Sequence, residues 1–480
     1  SNKDEWVEAY RDNFPNNALY EINAGSASNQ QNSGSASEWA LASFFGRINY
    51  SFKDRYLLEM SARYDASSRF PKSNRWGFFP SISGGWIVSQ EDFFDVPMIN
   101  NLKLRVSWGT LGNQNIGNYP YQQVLTLGMN VPFGVSEVLW PGAAATVVPS
   151  TNITWESTKV ANVGFDLSLF DNKMTLTADY YNKETSDILY NVTASKILGM
   201  TPSVQNAGTV VNKGIDLSIQ HRNIIGDFSY SIAGNLSYVK NRVKKLANVE
   251  RDIDGGLFVG YSLESIYGYV TDGFFNSQEE IDNYAKQPRT AKPGDLKLVD
   301  ISGPDGVPDG VVNADYDRKI IGDKFPNWNF GLNMNVGYKQ VDFLLNMSGV
   351  AGMHRLIDGF QANAFYWGSN PQEWMAKGHW TETNHDATYP RMLILGGNEQ
   401  QLYTSTYRLM NASFLRINDI QIGYTFPSSQ IHFLGMSNLR LYASVKNVVT
   451  FHNYLEGWDP ERRSQYPAVR DFMFGINVTF

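Results

Sequence analysis

Hydrophobic and polar residues alternate along much of this chain with the period of two that is typical of β-strands. In residues 161–169 the apolar side chains fall at every second position, and Asn162, Asp166 and Ser168 lie on the opposite face. The same alternation occurs in 56–64, 174–180, 228–238, 328–336 and 472–480. The pattern therefore predicts an all-β protein whose strands have one apolar face and one polar face.

The connections between these strands alternate between short turns and long polar stretches. The short turns lie at 53–54, 171–172, 226–227 and 339–340, with two longer ones at 90–100 and 427–436. The long stretches are 65–75, 112–155, 188–205, 243–318, 352–403 and 451–469. Strands of a soluble β-sandwich or β-propeller also alternate between apolar and polar residues. The aromatic residues near the strand ends and this pattern of loop lengths favour a transmembrane antiparallel β-barrel instead.

The pattern gives one strand from Phe44 to Phe52 and six further pairs, about 13 strands in all. Single-chain bacterial barrels have an even number of strands, so 13 strands predict a part of a larger barrel. We expect residues 1–43, including the low-complexity run at 24–37, to be an extracellular loop segment. Residues 44–480 would then be the C-terminal part of the barrel, with large extracellular loops at 243–318 and 352–403 and a periplasmic C-terminus.

Composition agrees with a membrane protein that crosses the bilayer without helices. Charged residues are 18% of the 480 residues, against about 25% in a typical soluble domain. No window reaches the 18 consecutive apolar residues of a transmembrane helix. The net charge of −7 argues against nucleic-acid binding, and the absence of cysteine excludes disulfides and thiolate metal sites.

Several ordered blocks identify a family. They are FFGRINYSFKDRYLLE (44–59), YDASSRFPKSNRWGFFPSISGGW (64–86), LKLRVSWGTLGNQNIGNYPY (102–121), FLRINDIQIGYTFP (414–427), LRLYASVKNVVTF (439–451) and GWDPE (457–461). With these blocks the chain resembles the C-terminal barrel portion of a SusC/RagA-type TonB-dependent transporter from the outer membrane of Bacteroidota. Phe480, after a terminal strand with alternating aromatic residues, resembles an outer-membrane assembly signal.

The resemblance implies a 22-stranded barrel in the outer membrane of a Gram-negative bacterium, with an N-terminal plug domain that matches nothing in this chain. It implies active import of a large nutrient, with a SusD-like surface lipoprotein as lid and TonB as the source of energy. Other partners would be outer-membrane lipid and the missing barrel strands. The favoured substrate is an oligosaccharide, and the alternative substrate is an oligopeptide. The alternative function is that of a surface receptor or docking barrel that does not transport.

An aspartate-rich segment, 294–323, resembles a calcium-binding loop of the family. Hard cations prefer clustered carboxylates and carbonyls, with glycine permitting sharp turns. The candidate ligands of Ca²⁺ are Asp300, Ser302, Asp305, Asp309 and Asp317. Pro304 and the extra residues before Asp317 depart from the EF-hand spacing, so an acidic loop that binds no metal is the alternative.

The loop at 352–403 is rich in aromatic residues set among Asn, Gln and Asp. Aromatic faces can stack on the apolar C–H faces of sugar rings, on peptide side chains, on a partner lid or on one another. The candidate substrate-binding residues are Tyr366, Trp367, Trp374 and Trp380. Trp458 and Asp459, in the GWDPE block, are better explained as parts of a structural turn.

Two further expectations concern the lumen and a loop helix. The inward polar residues, which we expect mostly to contact the plug, are Arg63, Arg105, Asp166, Asp179, Asn235 and Gln421. Ser277 and Glu280 form a capping-box pattern that predicts a short helix over 279–287. The chain has no G-x-S-x-G elbow, H-E-x-x-H pair or P-loop, so the sequence indicates no enzyme and no required cofactor.

Overall fold

The computed structural model describes residues 2–18, 20–135, 137–190, 197, 199–247, 249–253, 255–394, 400–461, 466 and 468–480. Thirteen strands form one sheet in which chain neighbours are sheet neighbours throughout. They are β1 Leu41–Phe52, β2 Tyr56–Ser67, β3 Trp76–Ile87, β4 Ile99–Asn113, β5 Glu156–Leu169, β6 Met174–Ser186, β7 Gly208–Ile225, β8 Phe228–Leu246, β9 Trp328–Tyr338, β10 Val341–Ala351, β11 Phe414–Thr425, β12 Asn438–His452 and β13 Asp471–Thr479. The predicted strand count and the up-and-down order are confirmed, and the sandwich and propeller alternatives are excluded.

Short turns join the strands at one end, which we call the short-turn side. Lys53 and Asp54, between β1 and β2, have φ angles of 51° and 54°, and Asp171 and Asn172 have 58° and 61°. Two successive residues with positive φ are typical of the tight turns whose twist matches that of a β-hairpin. The predicted short turns are therefore real turns, and the other end of the sheet is the long-loop side.

The apolar faces of the strands are exposed. In the middle of β5, Val163 is 59% exposed, whereas Gly164 beside it is buried. Other apolar side chains on the sheet are at least a third exposed, among them Ile232, Leu332, Ile422 and Phe474. A soluble sheet of this length would bury such a face, so these residues fit a wall that faces lipid.

The segment before β1 differs from the prediction. Residues Asn2–Tyr10 and Gln31–Trp39 pair as an antiparallel hairpin, so the low-complexity run is partly strand rather than all loop. Nearly every one of its residues is exposed. The pairing depends on backbone hydrogen bonds, which the polar composition does not reveal. The first strand of the sheet also begins at Leu41 rather than Phe44.

The chain divides into two compact units, one of 1–85, 106–161 and 183–210 and one of 86–105, 162–182 and 211–480. The first unit has a hydrophobic core on its long-loop side. This core consists of Phe70, Phe79, Ile116, Ile153 and Trp155. The Trp155 indole Nε1–H donates to the carbonyl of Arg75 at 3.0 Å. The loops of this unit also contain the short strands Leu125–Leu127, Val131–Phe133, Val138–Trp140, Ala143–Ala145, Val147–Val148, Leu189–Tyr190, Thr201–Pro202 and Gln205–Asn206.

The second unit carries the larger loops. Their strands are Arg251–Asp252, Leu257–Phe258, Ile266–Tyr269, Thr271–Phe274, Leu296–Leu298, Arg318–Gly322, His354–Leu356 and Leu409–Asn411. Its helices are α1 Gln278–Asp282, α2 Gly359–Ala362, α3 Glu373–Gly378 and α4 Ser428–Ile431. Among the described residues, no helix is long and apolar enough to cross a membrane.

Helix α1 begins where the capping pattern predicts and ends earlier. Ser277 Oγ accepts from the backbone N–H of Glu280 at 3.1 Å, and Glu280 Oε2 accepts from that of Asn276 at 2.7 Å. The predicted extension to residue 287 is wrong. Asn283 is the C-cap residue, and its side-chain Nδ2 donates to the carbonyl of Glu279 at 2.9 Å at the end of the helix.

Candidate binding site in the loop cap

The loops of the second unit on the long-loop side fold into a body of their own, which we call the loop cap: residues 265–327, 352–394, 400–413 and 453–461. Small buried clusters hold it together. One contains Ile357, Ala362 and Leu455, and another Ala364, Met375 and Tyr389. Ile357 and Met375 are fully buried. The cap thus has the kind of core that the strands of the sheet lack.

Buried polar groups connect the segments of the cap. The Tyr389 hydroxyl donates to the carbonyl of Ala362 at 3.2 Å and accepts from the backbone N–H of Ala364 at 2.9 Å. Burial raises the pKa of the Tyr389 phenol and lowers the pKa of Arg408. The Arg408 guanidinium donates to the carbonyls of Ile357 and Leu402 at 2.8 and 2.9 Å. These bonds fix the path of the chain around α2.

Arg416, near the long-loop end of β11, attaches the GWDPE block to the sheet. Its guanidinium lies 2.7 Å from Asp459 Oδ2 and 2.7 Å from Glu461 Oε2, and its Nε donates to Thr450 Oγ1. The side chains of Arg416 and Asp459 are 10% and 12% exposed. This geometry gives the block a structural part in the last loop, which fits the expectation for Asp459. Nothing in the sequence pattern paired Arg416 with a loop more than 40 residues away.

Gln372 is a junction that sequence reasoning missed. Its Oε1 accepts from the indole Nε1–H of Trp374 at 3.2 Å and from that of Trp458 at 3.1 Å. Its Nε2 donates to the carbonyl of Phe360. One amide therefore joins the segment that precedes α3, the last loop of the cap and helix α2.

The four candidate substrate-binding residues, three tryptophans and one tyrosine, fall into two pairs by their surroundings. Trp380 is buried against Phe274 and Leu296, and its Nε1–H donates to Asn276 Oδ1 at 3.0 Å. Trp374 packs edge-on against Tyr389 at 5.4 Å between centroids. Both rings contribute to the packing of the cap, and their contact with a substrate stays a prediction.

Tyr366 and Trp367 lie at the surface instead. Their rings are stacked, with centroids 5.5 Å apart and planes 9° apart, and Trp367 is 86% exposed. The backbone here is unusual, since Phe365 and Trp367 have φ angles of 57° and 52°. Side chains of this size rarely adopt the left-handed region, and each such residue costs about 1–3 kcal/mol. The fold therefore holds an indole in water at an energetic cost.

The aspartate-rich loop uses its carboxylates for its own backbone. Asp317 is fully buried and accepts from the backbone N–H groups of Ile301, Ser302 and Asn313. In the same loop, Asp300 accepts from Gly310 N–H and Asp309 from Val311 N–H, whereas Asp305 has an exposed side chain.

Among the described residues, no group of three or more carboxylates and imidazoles is placed to hold a metal ion. One oxygen of the candidate ligands, Asp300 Oδ1, is buried and accepts no hydrogen bond from any residue that the structure describes. No step of the function proposed below depends on a cation. Calcium binding stays a prediction of the sequence.

Three of the inward polar residues form an ion network on the wall. Arg105 of β4 lies 2.8 Å from Asp166 of β5 and 2.9 Å from Asp179 of β6. Nearer the short-turn side, Gln421 lines a groove of about 880 Å³ together with the Asp342–Arg440 ion pair.

The other inward residues and the C-terminal residue are placed separately. Arg63 pairs with Asp65, which lies beside it on β2, and Asn235 lies on β8. Phe480 follows β13 directly and is exposed. The network of Arg105 depends on the register between neighbouring strands, which the period of two alone does not give.

Comparison with known proteins identifies the family. A family model described as TonB dependent receptor-like, beta-barrel matches residues 2–448. The TonB-dependent receptor P3 of Formosa agariphila is 31% identical over 97% of this chain and 48% of its own length. The TonB-dependent receptor SusC of Bacteroides thetaiotaomicron is 30% identical over 92% of this chain and 44% of its own.

The structure of the RagAB peptide transporter matches all of this chain and 52% of its own, with 24% identity and a TM-score of 0.81, and so has the same fold. The chain spans about half the length of these relatives. The SusC/RagA-type resemblance and the outer-membrane location are confirmed. The chain belongs to the TonB-dependent receptor-like β-barrel family.

Proposed function

We propose that the protein to which this chain belongs imports a large nutrient across the outer membrane. The observation that carries the proposal is the joining of a strand wall of this family to an ordered loop cap at one end. A wall with exposed apolar residues provides the membrane passage, and the cap provides a folded surface where a ligand can first be bound. No catalytic step is part of the proposal.

The favoured substrate is an oligosaccharide, and an oligopeptide is the second candidate. A similar structure is titled as a peptide transporter, which keeps the second candidate open. The neutral, aromatic surface around Trp367 favours the first. We further propose a SusD-like surface lipoprotein as lid over the cap, and energy supplied through TonB acting on a plug domain.

Growth of a deletion strain tests the function and the substrate together. The gene for the whole protein would be deleted, and growth measured on a panel of defined glycans and on defined peptides as sole nutrient. We expect a defect on at least one glycan that is restored by the intact gene. A defect confined to peptides would favour the second candidate, and no defect on any nutrient would argue against import.

A surface receptor or docking barrel is the competing function of another class. Purified whole protein in a planar bilayer separates a pore from a plugged transporter, because an open pore conducts ions continuously. We expect no continuous conductance. A steady conductance in the absence of TonB would exclude the plugged state on which active import depends.

A further inference from the structure

The surface formed by Phe360, Tyr366 and Trp367, which we call the aromatic platform, has no role in the packing of the cap. Its outermost residue, Trp367, is almost entirely exposed. The other tryptophans of this loop, Trp374 and Trp380, are bonded and packed. An exposed indole in a loop whose other indoles are packed and hydrogen-bonded indicates a surface kept for a ligand.

The three rings of the platform contact one another. Tyr366 and Trp367 stack in parallel, and Phe360 packs edge-on against both, with centroids 4.9 and 6.5 Å from theirs. The carbonyl of Phe360 is in turn held by Gln372 Nε2. The helix that carries Phe360 is thereby tied to the segment that precedes α3.

The backbone on both sides of Tyr366 in the platform is strained. Left-handed φ angles at Phe365 and Trp367 flank Tyr366, and no glycine relieves either position. Strain of this kind is concentrated at functional sites, where the surrounding structure maintains it. Here the surrounding structure is the packed α2 region of the cap.

The chain segment that carries the platform is uncharged. Asp358 and Glu373 flank a run of 14 residues without a charged side chain. Of its polar side chains, Gln361 and Gln372 are bonded within the cap and Asn363 is buried, which leaves Ser369 and Asn370. The amide of Asn370 and the hydroxyl of Ser369, close in sequence to the aromatic faces, match a pyranose, whose ring has an apolar C–H face and a rim of hydroxyl groups. Neither side chain offers a counter-charge to an anionic ligand.

We propose that the aromatic platform is a binding subsite that stacks on a sugar ring of a neutral oligosaccharide. This inference rests on the import function proposed above and adds the residues and the ligand class. Trp367 provides the stacking face, Tyr366 supports that face from one side, and Phe360 holds both rings in place.

Isothermal titration of the whole purified transporter, with its lipoprotein where they purify together, tests the inference. The probes are neutral hexasaccharides of glucose, mannose and xylose and a neutral hexapeptide. For the sugar that binds the wild type, we expect Trp367→Ala to weaken affinity about tenfold, the equivalent of ~1.4 kcal/mol. Trp367→Phe should keep part of the affinity because it keeps a ring.

Phe433→Ala is the matched control. Phe433 is also largely exposed, but it lies between β11 and β12 on the short-turn side. We expect the sugar affinity of this variant to equal that of the wild type. Each variant is first checked for the heat-modifiable gel mobility of a folded outer-membrane protein, so that loss of folding is not read as loss of binding.

The outcomes separate the two proposals. Equal sugar affinity in the wild type and Trp367→Ala overturns the platform while leaving import standing. Unchanged sugar affinity with loss of the co-purifying lipoprotein also overturns it, since the platform would then dock the lid. A wild type that binds only the hexapeptide, or no probe at all, overturns the oligosaccharide class itself.

Discussion

The strand wall and the loop cap place the same kinds of side chain in opposite environments. On the wall, Val163 and Ile422 are more than half exposed, whereas in the cap Ile357 and Met375 are fully buried. The difference lies in the medium, because an apolar side chain facing lipid needs no protein neighbour. The wall therefore depends on backbone pairing and the bilayer, and the cap depends on ordinary packing.

Charged groups follow the same division. Arg105 joins three neighbouring strands through two aspartates on the polar face of the wall. Arg416 instead connects a strand to a loop, with Asp459 and Glu461 as its partners. The first network strengthens contacts that strand pairing already makes, while the second creates a contact between segments far apart in sequence.

The largest effect is expected at the junction of wall and cap. Arg416→Met removes the guanidinium from the nearly buried Asp459 and from the exposed Glu461, and breaking a buried pair such as that with Asp459 costs about 3–5 kcal/mol. We expect faster proteolysis of residues 453–461 in outer-membrane preparations. Lys377→Met is the matched control, because the exposed Lys377–Glu373 pair contributes about 0.3–0.5 kcal/mol. Equal cleavage in both variants would contradict the assigned role of Arg416.

The next effect tests the wall. Val163→Arg places a charge on the lipid face at the middle of β5, where it is expected to cost about 2–4 kcal/mol. Asn162→Arg, one residue earlier, places the same charge on the polar face and should be tolerated. The measurement is the urea midpoint of the folded, heat-modifiable form. A similar loss for both variants would show that the two faces are not distinguished by lipid.

A smaller effect is expected inside the cap. Gln372→Leu removes the acceptor of two indole N–H groups and should destabilise the cap by about 1–3 kcal/mol. Hydrogen exchange of peptides from 359–374 and 453–461 should increase together. Gln372→Glu keeps an acceptor oxygen and should retain most of the protection. Faster exchange in only one of the two segments would argue against the junction.

The smallest effect is pH-dependent and local to α1. Desolvation of Glu280 is outweighed by the backbone N–H of Asn276 and the ammonium of Lys297, so the pKa of Glu280 lies below its ordinary value of 4.5. A lowered folded pKa gives stability that is present above the unfolded pKa and is lost as pH falls through the folded one.

We therefore expect the hydrogen-exchange protection of residues 276–284 to be greater at pH 6.5 than at pH 3. The difference should match the contribution of a helix N-terminal capping bond, about 0.5–2 kcal/mol. Glu280→Gln should lower protection at pH 6.5 and remove the pH dependence. A pH dependence that persists in Glu280→Gln would assign it to another group.

The wall could be predicted from the sequence because its rules are local. Alternation along 161–169 and turn residues such as Asp54 and Asn172 depend on neighbours within a few positions, and the strand order follows from consecutive hairpins. The family match then confirmed the membrane setting.

The cap could be predicted only in part, because its determinants are distant in sequence. Aromatic content indicated a binding surface, but not that Trp380 is buried against Phe274 while Trp367 is exposed. The role of Gln372 depends on Trp458, which lies 86 residues away. The end of α1 is capped by the side chain of Asn283, which the capping box at the start of the helix does not specify.

The two indole bonds at Gln372 have a consequence for the speed of capture. Loops that must become ordered around a ligand slow its association and weaken its binding, because the conformational entropy that they lose reduces the free energy of binding. In this cap the ordering has already taken place during folding, through Phe360, Trp374 and Trp458. If the platform is the proposed subsite, a ligand that reaches it would meet a surface that is already formed, and its dissociation rate would then set most of its affinity.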